Sequence, residues 1–324
     1  MNPYWGAGFF EFFIVLCSRV GAWVMGHTSS LAADEIQIGV LSCVAIACGL
    51  VGPFLVLKKM AMFANSLSHT ILLGIVLAYL LTSSLWGGGM FDLSTLLIGA
   101  ALAALITAFL TEGFVRFFRL QEDASVGFVF TTLFALGIVL VTLYTKNAHL
   151  GVEAVMGNAD ALHISDLRAA FWIALLNFCT VGCFYRQFQI SSFDGNFAKT
   201  IGISSGLFHF LLLFLSATVC IGSFRSVGVL LVLAFLVGPY LTARLFSDRL
   251  CILLFLSPLL GILASLIGVA LSRHLLSVYD LPLSTGGIVV SIIGLFYVMA
   301  FFLSHLRYKL RFSLKKIFKL NNFT

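Results

Sequence analysis

Residues 52–79 read GPFLVLKKMAMFANSLSHTILLGIVLAY. One apolar helix stops here at Lys58-Lys59, and a second follows that carries Asn65, Ser66, Ser68 and His69 into an otherwise apolar run. Hydrogen-bonding groups are costly in hydrocarbon, so they persist there beside a partner, a water-filled cavity or a substrate path. Asn65 and His69 are four residues apart, which on a helix places them on one face within reach of the same ion. The stretch therefore reads as the lining of a route for a small cation, with Asn65 and His69 as its metal path. Against that stands the ordinary reading of a membrane histidine, a hydrogen bond to a neighbouring helix.

Working outward, the 324 residues are 60% hydrophobic and 10% charged, with a mean hydropathy of +1.09. So little charge does not solvate a soluble domain, and repeated apolar runs of about 20 residues are what a polytopic helical membrane protein requires. Ten such runs are expected, at residues 7–26, 36–57, 60–82, 93–115, 125–145, 167–186, 206–222, 226–246, 250–272 and 285–305. The first contains Glu11 and Arg19 and reads as either a span or an interfacial helix. No cleavable leader is expected, because that run lacks a basic start. The pair on either side of Arg225 reads as two spans or one broken element. The fold class is all-α, with nine or ten hydrophobic segments.

The net charge of +6 does not point to nucleic acid, because the charges sit at the ends of the apolar runs. Strict alternation of the ten runs puts fourteen of the nineteen Lys and Arg residues on one side. These include Lys58, Lys59, Arg116, Arg119, Arg244, Arg249 and the six between Arg307 and Lys319. Lys146, Arg168, Arg225 and Arg273 fall opposite, together with the acidic loops bearing Asp34, Glu35, Asp160 and Asp280. Both termini are then cytoplasmic, and the basic residues meet lipid headgroups. The seven cysteines all lie in apolar runs and imply no disulfide framework. They read as small packing residues, with Cys179 and Cys183 sharing a helix face.

An internal echo joins LVGPFL at 50–55 to LVGPYL at 236–241. Both end a run of the same direction at the same depth, which points to a parallel internal repeat. Gly52-Pro53 and Gly238-Pro239 either kink their helices or end them. The most polar internal segment, SSFDGNFAKTIGISSG, spans residues 191–206. It reads as a short helix capped by Asp194 and terminated at Gly202, suited to docking on a soluble partner or serving as a plain connection. No phosphate-binding loop, metalloprotease motif or nucleophile elbow is present, and mid-span acids are scarce apart from Glu11. The chain is not read as an enzyme, and any ATPase driving it is a separate chain. A gradient-driven secondary metal transporter is the alternative, and it would be expected to carry paired intramembrane carboxylates.

Five runs in order, FLVLKKMAMFANSLSHTILLGIVLAY, LQEDASVGFVFTTLFALGIVL, FDGNFAKTIGI, SVGVLLVLAFLVGPYLTARL and DLPLSTGGIVV, resemble the membrane permease subunits of bacterial ABC importers for manganese, zinc or iron, the ABC-3 family. The resemblance covers about residues 36–292. It implies a permease in the cytoplasmic (inner) membrane that works as a homodimer or heterodimer. It also implies a cytoplasmic ABC ATPase carrying the ATP and an extracytoplasmic metal-binding protein, with no permanent cofactor beyond the transported divalent ion. The family's coupling segment falls on Phe193, Asp194, Ala198 and Gly202. The family's Asp-Ala-x-Ser-His pattern matches at His69 and departs at Asn65, whose uncharged carbonyl binds a divalent cation more weakly than a carboxylate. The expected organisation is an N-terminal hydrophobic or interfacial segment at 1–35, a transmembrane permease domain at 36–305 and a basic cytoplasmic tail at 306–324.

Overall fold

The structure, a computed structural model, describes residues 3–6, 8–25, 31–60, 93–145 and 159–321, and between them positions 62, 63, 65, 66, 70, 73, 74, 76–78 and 80. Every regular element among the described residues is an α-helix. Long apolar runs dictate this, because away from water a helix satisfies its own backbone. The helices are α1 (Phe9–Val24), α2 (Ala33–Leu57), α3 (Leu93–Phe118), α4 (Glu122–Thr145), α5 (Ile164–Cys183), α6 (Tyr185–Phe193), α7 (Gly195–Thr200), α8 (Ser205–Val227), α9 (Val229–Arg244), α10 (Leu250–Tyr279) and α11 (Thr285–Asn321). Between α2 and α3 the described positions from 62 to 80 are also helical.

Among the described residues five helices are long and apolar enough to cross a membrane: Ala33–Leu57, Ile164–Cys183, Ser205–Phe224, Leu250–Tyr279 and Thr285–Leu306. Ala124–Leu140 and Val229–Arg244 are shorter apolar helices, and α1 has 16 residues. The break expected near Arg225 falls at Gly228, the one residue between α8 and α9, whose φ of 90° is a conformation that side chains disfavour. The last helix does not stop at residue 305. It continues through the basic segment to Asn321.

The hub is α2. It packs against α5, α8, α9 and α10, and 72% of its most apolar window is buried. It ends where the sequence placed the end, at Leu57, with Lys59 in the left-handed region (φ 60°) and the Met60 amide bonded back to the Leu55 carbonyl at 2.8 Å. Neither Gly-Pro pair ends its helix. Pro53 and Pro239 lie inside α2 and α9, which run on to Leu57 and Arg244.

The two echoing segments meet. A Cβ placed on Gly52 would stand 2.0 Å from the Leu236 carbonyl oxygen, and one on Gly49 would stand 2.7 Å from the Pro258 nitrogen of α10. Glycine is required there because backbone touches backbone. Gly268 likewise faces Val289 of α11, whereas Gly127 and Gly294 have nothing within 4 Å among the described residues.

Gly52→Ala is expected to force α2 from α9 and destabilise the chain by about 1–3 kcal/mol, as overpacking does. Gly127→Ala, placed in open space, leaves stability unchanged or slightly raised. Thermal unfolding of the two variants in the same detergent checks this pair, and equal midpoints would refute the contact.

Candidate functional site

The polar stretch after α2 begins with Met60 and Phe63, both buried. Asn65 is half-buried, and Ser66 and Thr70, one turn apart on the same face, are buried. The Ser66 hydroxyl has no hydrogen-bond partner among the described residues. His69 lies outside the described residues, so its expected pairing with Asn65 is not placed. Among the described residues no group of three or more His, Cys, Asp and Glu side chains comes together. The polar side chains described here, Asn65, Ser66 and Thr70, are uncharged.

The segment after α5 folds as its residues dictate. Asp194 caps α7, its Oδ1 accepting from the backbone amides of Asn196 and Phe197 at 2.9 Å each. Gly202 closes the helix at φ 83°, and the Ile203 amide bonds back to the Ala198 carbonyl at 2.9 Å. Ala198 is fully buried, so α7 is seated on the body of the protein. Phe193 is 64% exposed and Phe197 54%, with Ile201 also exposed. A small rigid helix thus holds an apolar edge outward. It sits at the same end of the molecule as Lys58, whose Nζ lies 3.2 Å from the Ser191 hydroxyl of α6.

At the opposite end, acids that the sequence assigned to outward-facing loops prove to be paired. Asp34, in the first turn of α2 and 2% exposed, is bonded to Arg273 of α10, with Nε at 3.1 Å and the terminal nitrogen closer. Glu35 binds Arg19 of α1 and accepts from the Tyr4 hydroxyl at 2.9 Å. Burial, and then Glu35 itself, push the Tyr4 phenol well above its ordinary pKa, so it stays a donor. Asp160 takes the hydroxyl and amide of Thr285 at the start of α11, and the Gln37 amide nitrogen bonds the Ala159 carbonyl at 2.7 Å. Asp34, Gln37, Asp160, Ser272, Arg273 and Thr285 line a cavity of about 480 Å³. Buried charges of this kind are tolerated only when paired.

His163 is the exposed N-cap residue of α5, and His274 lies inside α10 with its Nδ1 buried. His149 is outside the described residues. Glu112 and Arg116, one turn apart on α3, form an ion pair at 2.6 Å, and His209 of α8 joins it with Nε2 3.4 Å from Glu112. The signal for the opposite end was present: Arg19 and Arg273 are basic residues that the dominant charge pattern leaves unexplained, and both are bonded to carboxylates. Cys179 and Cys183 are both exposed on α5.

Comparison with known proteins follows the same outline. The sequence model of the ABC 3 transport family matches residues 15–304. A "Probable metal transport system membrane protein" of Chlamydia muridarum (strain MoPn / Nigg) is 41% identical over 302 residues, covering 92% of this chain and 93% of that protein. The "Manganese transport system membrane protein MntD" of Bacillus subtilis (strain 168) is 39% identical over 288 residues, 85% of this chain and 92% of its own length. Among solved structures, PsaBC from Streptococcus pneumoniae in complex with Fab superposes with a TM-score of 0.68 at 25% identity, covering 82% of this chain and 90% of that one.

Arg273→Met leaves the buried Asp34 carboxylate uncompensated and is expected to cost about 3–5 kcal/mol. Adding Asp34→Asn to the same chain restores part of that loss. A double-mutant cycle on detergent unfolding reads the coupling, and strictly additive losses would show that the two side chains act independently.

Proposed function

The chain belongs to the ABC 3 transport family, and on that footing we propose that it is the permease subunit of an ATP-driven importer for a divalent transition metal. It is an integral membrane protein built on apolar helices, and its relatives are membrane subunits of transport systems. The observation that carries the cargo is the near full-length identity with a manganese transport system membrane protein. Manganese is accordingly the first substrate to test. Imidazole and amide oxygen also accept zinc and iron.

In this reading the metal passes Asn65 and His69 on the helix that follows α2. Asn65 supplies a carbonyl oxygen without charge, which keeps the ion loosely held on this subunit and fits a second permease that supplies the carboxylate. The exposed edge of Phe193, Phe197 and Ile201 on the capped helix docks into a cleft of a cytoplasmic ABC ATPase. Asp194 and Gly202 hold that edge rigid, and Ala198 seats it. ATP binding and hydrolysis on the partner chain then shift this helix and the bundle it rests on, alternating access to the path. The Gly52-Pro53 pair, whose glycine lies on Leu236 of α9, and the Gly238-Pro239 pair, whose glycine faces Ile293 of α11, are the joint between the moving halves. An extracytoplasmic metal-binding protein delivers ions to the end that carries Asp34 and Asp160. The inner membrane of a bacterium is the site of action, with both termini in the cytoplasm.

Proteoliposomes holding this chain, its ATPase, its binding protein and its partner permease are expected to take up manganese only with ATP. His69→Ala abolishes that uptake in an intact complex. Asp194→Ala and Gly202→Val release the ATPase, read as its loss from the purified complex, while membrane insertion continues. Uptake that persists without ATP would overturn the importer assignment, and full assembly in both loop variants would overturn the docking segment.

A further inference from the structure

A small cavity lies at the end of the molecule that carries Lys58 and Lys59. Lys59, Met60, Phe63, Thr111, Glu112 and His209 are among the residues lining a cavity of about 20 Å³. That is room for one water or one bare ion. The two oxygens of Glu112 are differently engaged: Oε1 is held by Arg116 Nε at 2.6 Å, while Oε2 faces His209 Nε2 at 3.4 Å. Two ligand atoms each about 2.1 Å from a metal, at a tetrahedral angle, stand about 3.4 Å apart. Thr111, 6% exposed and lining the same cavity, has a hydroxyl with no hydrogen-bond partner among the described residues. A buried polar atom left without a partner is an explicit cost unless something occupies the cavity beside it.

We propose that Glu112, His209 and Thr111 form a single-ion station for the transported divalent metal, between its passage at Asn65 and its release. The inference rests on the importer reading above. Phe63 lines the cavity and stands two residues before Asn65, so the station adjoins the candidate path. The donor set of carboxylate oxygen, imidazole nitrogen and hydroxyl suits manganese, iron or zinc. Arg116 is a positioning residue: it fixes the carboxylate and leaves one oxygen for the ion. Lys59 and Arg116 also place positive charge beside the station. An ion there is held weakly, as release demands.

The test uses the full-length chain in lipid nanodiscs without nucleotide, carrying His69→Ala to silence the first site. Manganese(II) is titrated and read by electron paramagnetic resonance, with echo modulation reporting bound nitrogen. The proposal expects one manganese per chain with imidazole nitrogen modulation. His209→Gln removes the modulation, Glu112→Gln weakens binding by about tenfold or more, and Thr111→Val, which keeps the shape, weakens it less. Absence of bound manganese in the His69→Ala chain would overturn the station, as would a nitrogen signal indifferent to His209→Gln. Because the first of these is read with Glu112 and His209 intact, misfolding of a variant does not rescue the proposal. ATP-dependent uptake by the wild-type complex is measured in parallel. Intact uptake with no station refutes this inference alone, and absent uptake refutes the importer reading beneath it.

Discussion

Backbone-to-backbone contact at Gly49 and Gly52 is the constraint from which the arrangement follows. Without side chains at these two positions, α2 lies directly on Leu236 of α9 and Pro258 of α10. Apolar helices in lipid gain little from hydrophobicity when they associate, so close van der Waals approach and internal hydrogen bonds must hold them. Once α2 is fixed, its first turn brings Asp34 to Arg273 and its last turn sets the start of the stretch that carries Asn65. The polar features at both ends of the bundle are thus positioned by one glycine-bearing helix.

The two ends are built differently. At the end with Asp34, Glu35 and Asp160, carboxylates are matched to specific partners and four helices are tied at once, α1, α2, α10 and α11. At the other end the conspicuous feature is a six-residue helix with its cap satisfied, Phe197 outward on it and Phe193 and Ile201 exposed on either side. One end is organised for internal order. The other presents a surface, and rigidity there comes from Asp194 and Gly202, which fix the backbone, more than from packing.

Much of this was legible in the residues. The stop at Lys58-Lys59 and the cap at Asp194 are local: each depends on neighbours within one or two turns, and the structure forms them at the expected places. The pairings were not legible. Asp34 and Arg273 are 239 residues apart, and helices as uniformly apolar as α2 and α10 carry no stripe that tells which face is buried. The same blindness hid His209, which sits in a run of Leu and Phe and acquires a role only because Glu112 of α3 lies across from it. Nor does the sequence distinguish Gly52 and Gly268, which neighbouring helices press on, from Gly127 and Gly294, which have nothing within 4 Å among the described residues. The reading of Asn65 and His69 remains a statement about helical spacing.

The link between Asp34 and Arg273 bears on the order in which the protein is made. Asp34 leaves the ribosome long before α10 exists, and so do the glycine faces of α2, whose partners α5, α8, α9 and α10 all come later in the chain. During synthesis α2 must therefore wait at or in the membrane with a carboxylate and Gln37 unsatisfied. Assembly waits on the late helices, and a chain cut short before Arg273 lacks the guanidinium to which the first turn of α2 is bonded in the finished bundle.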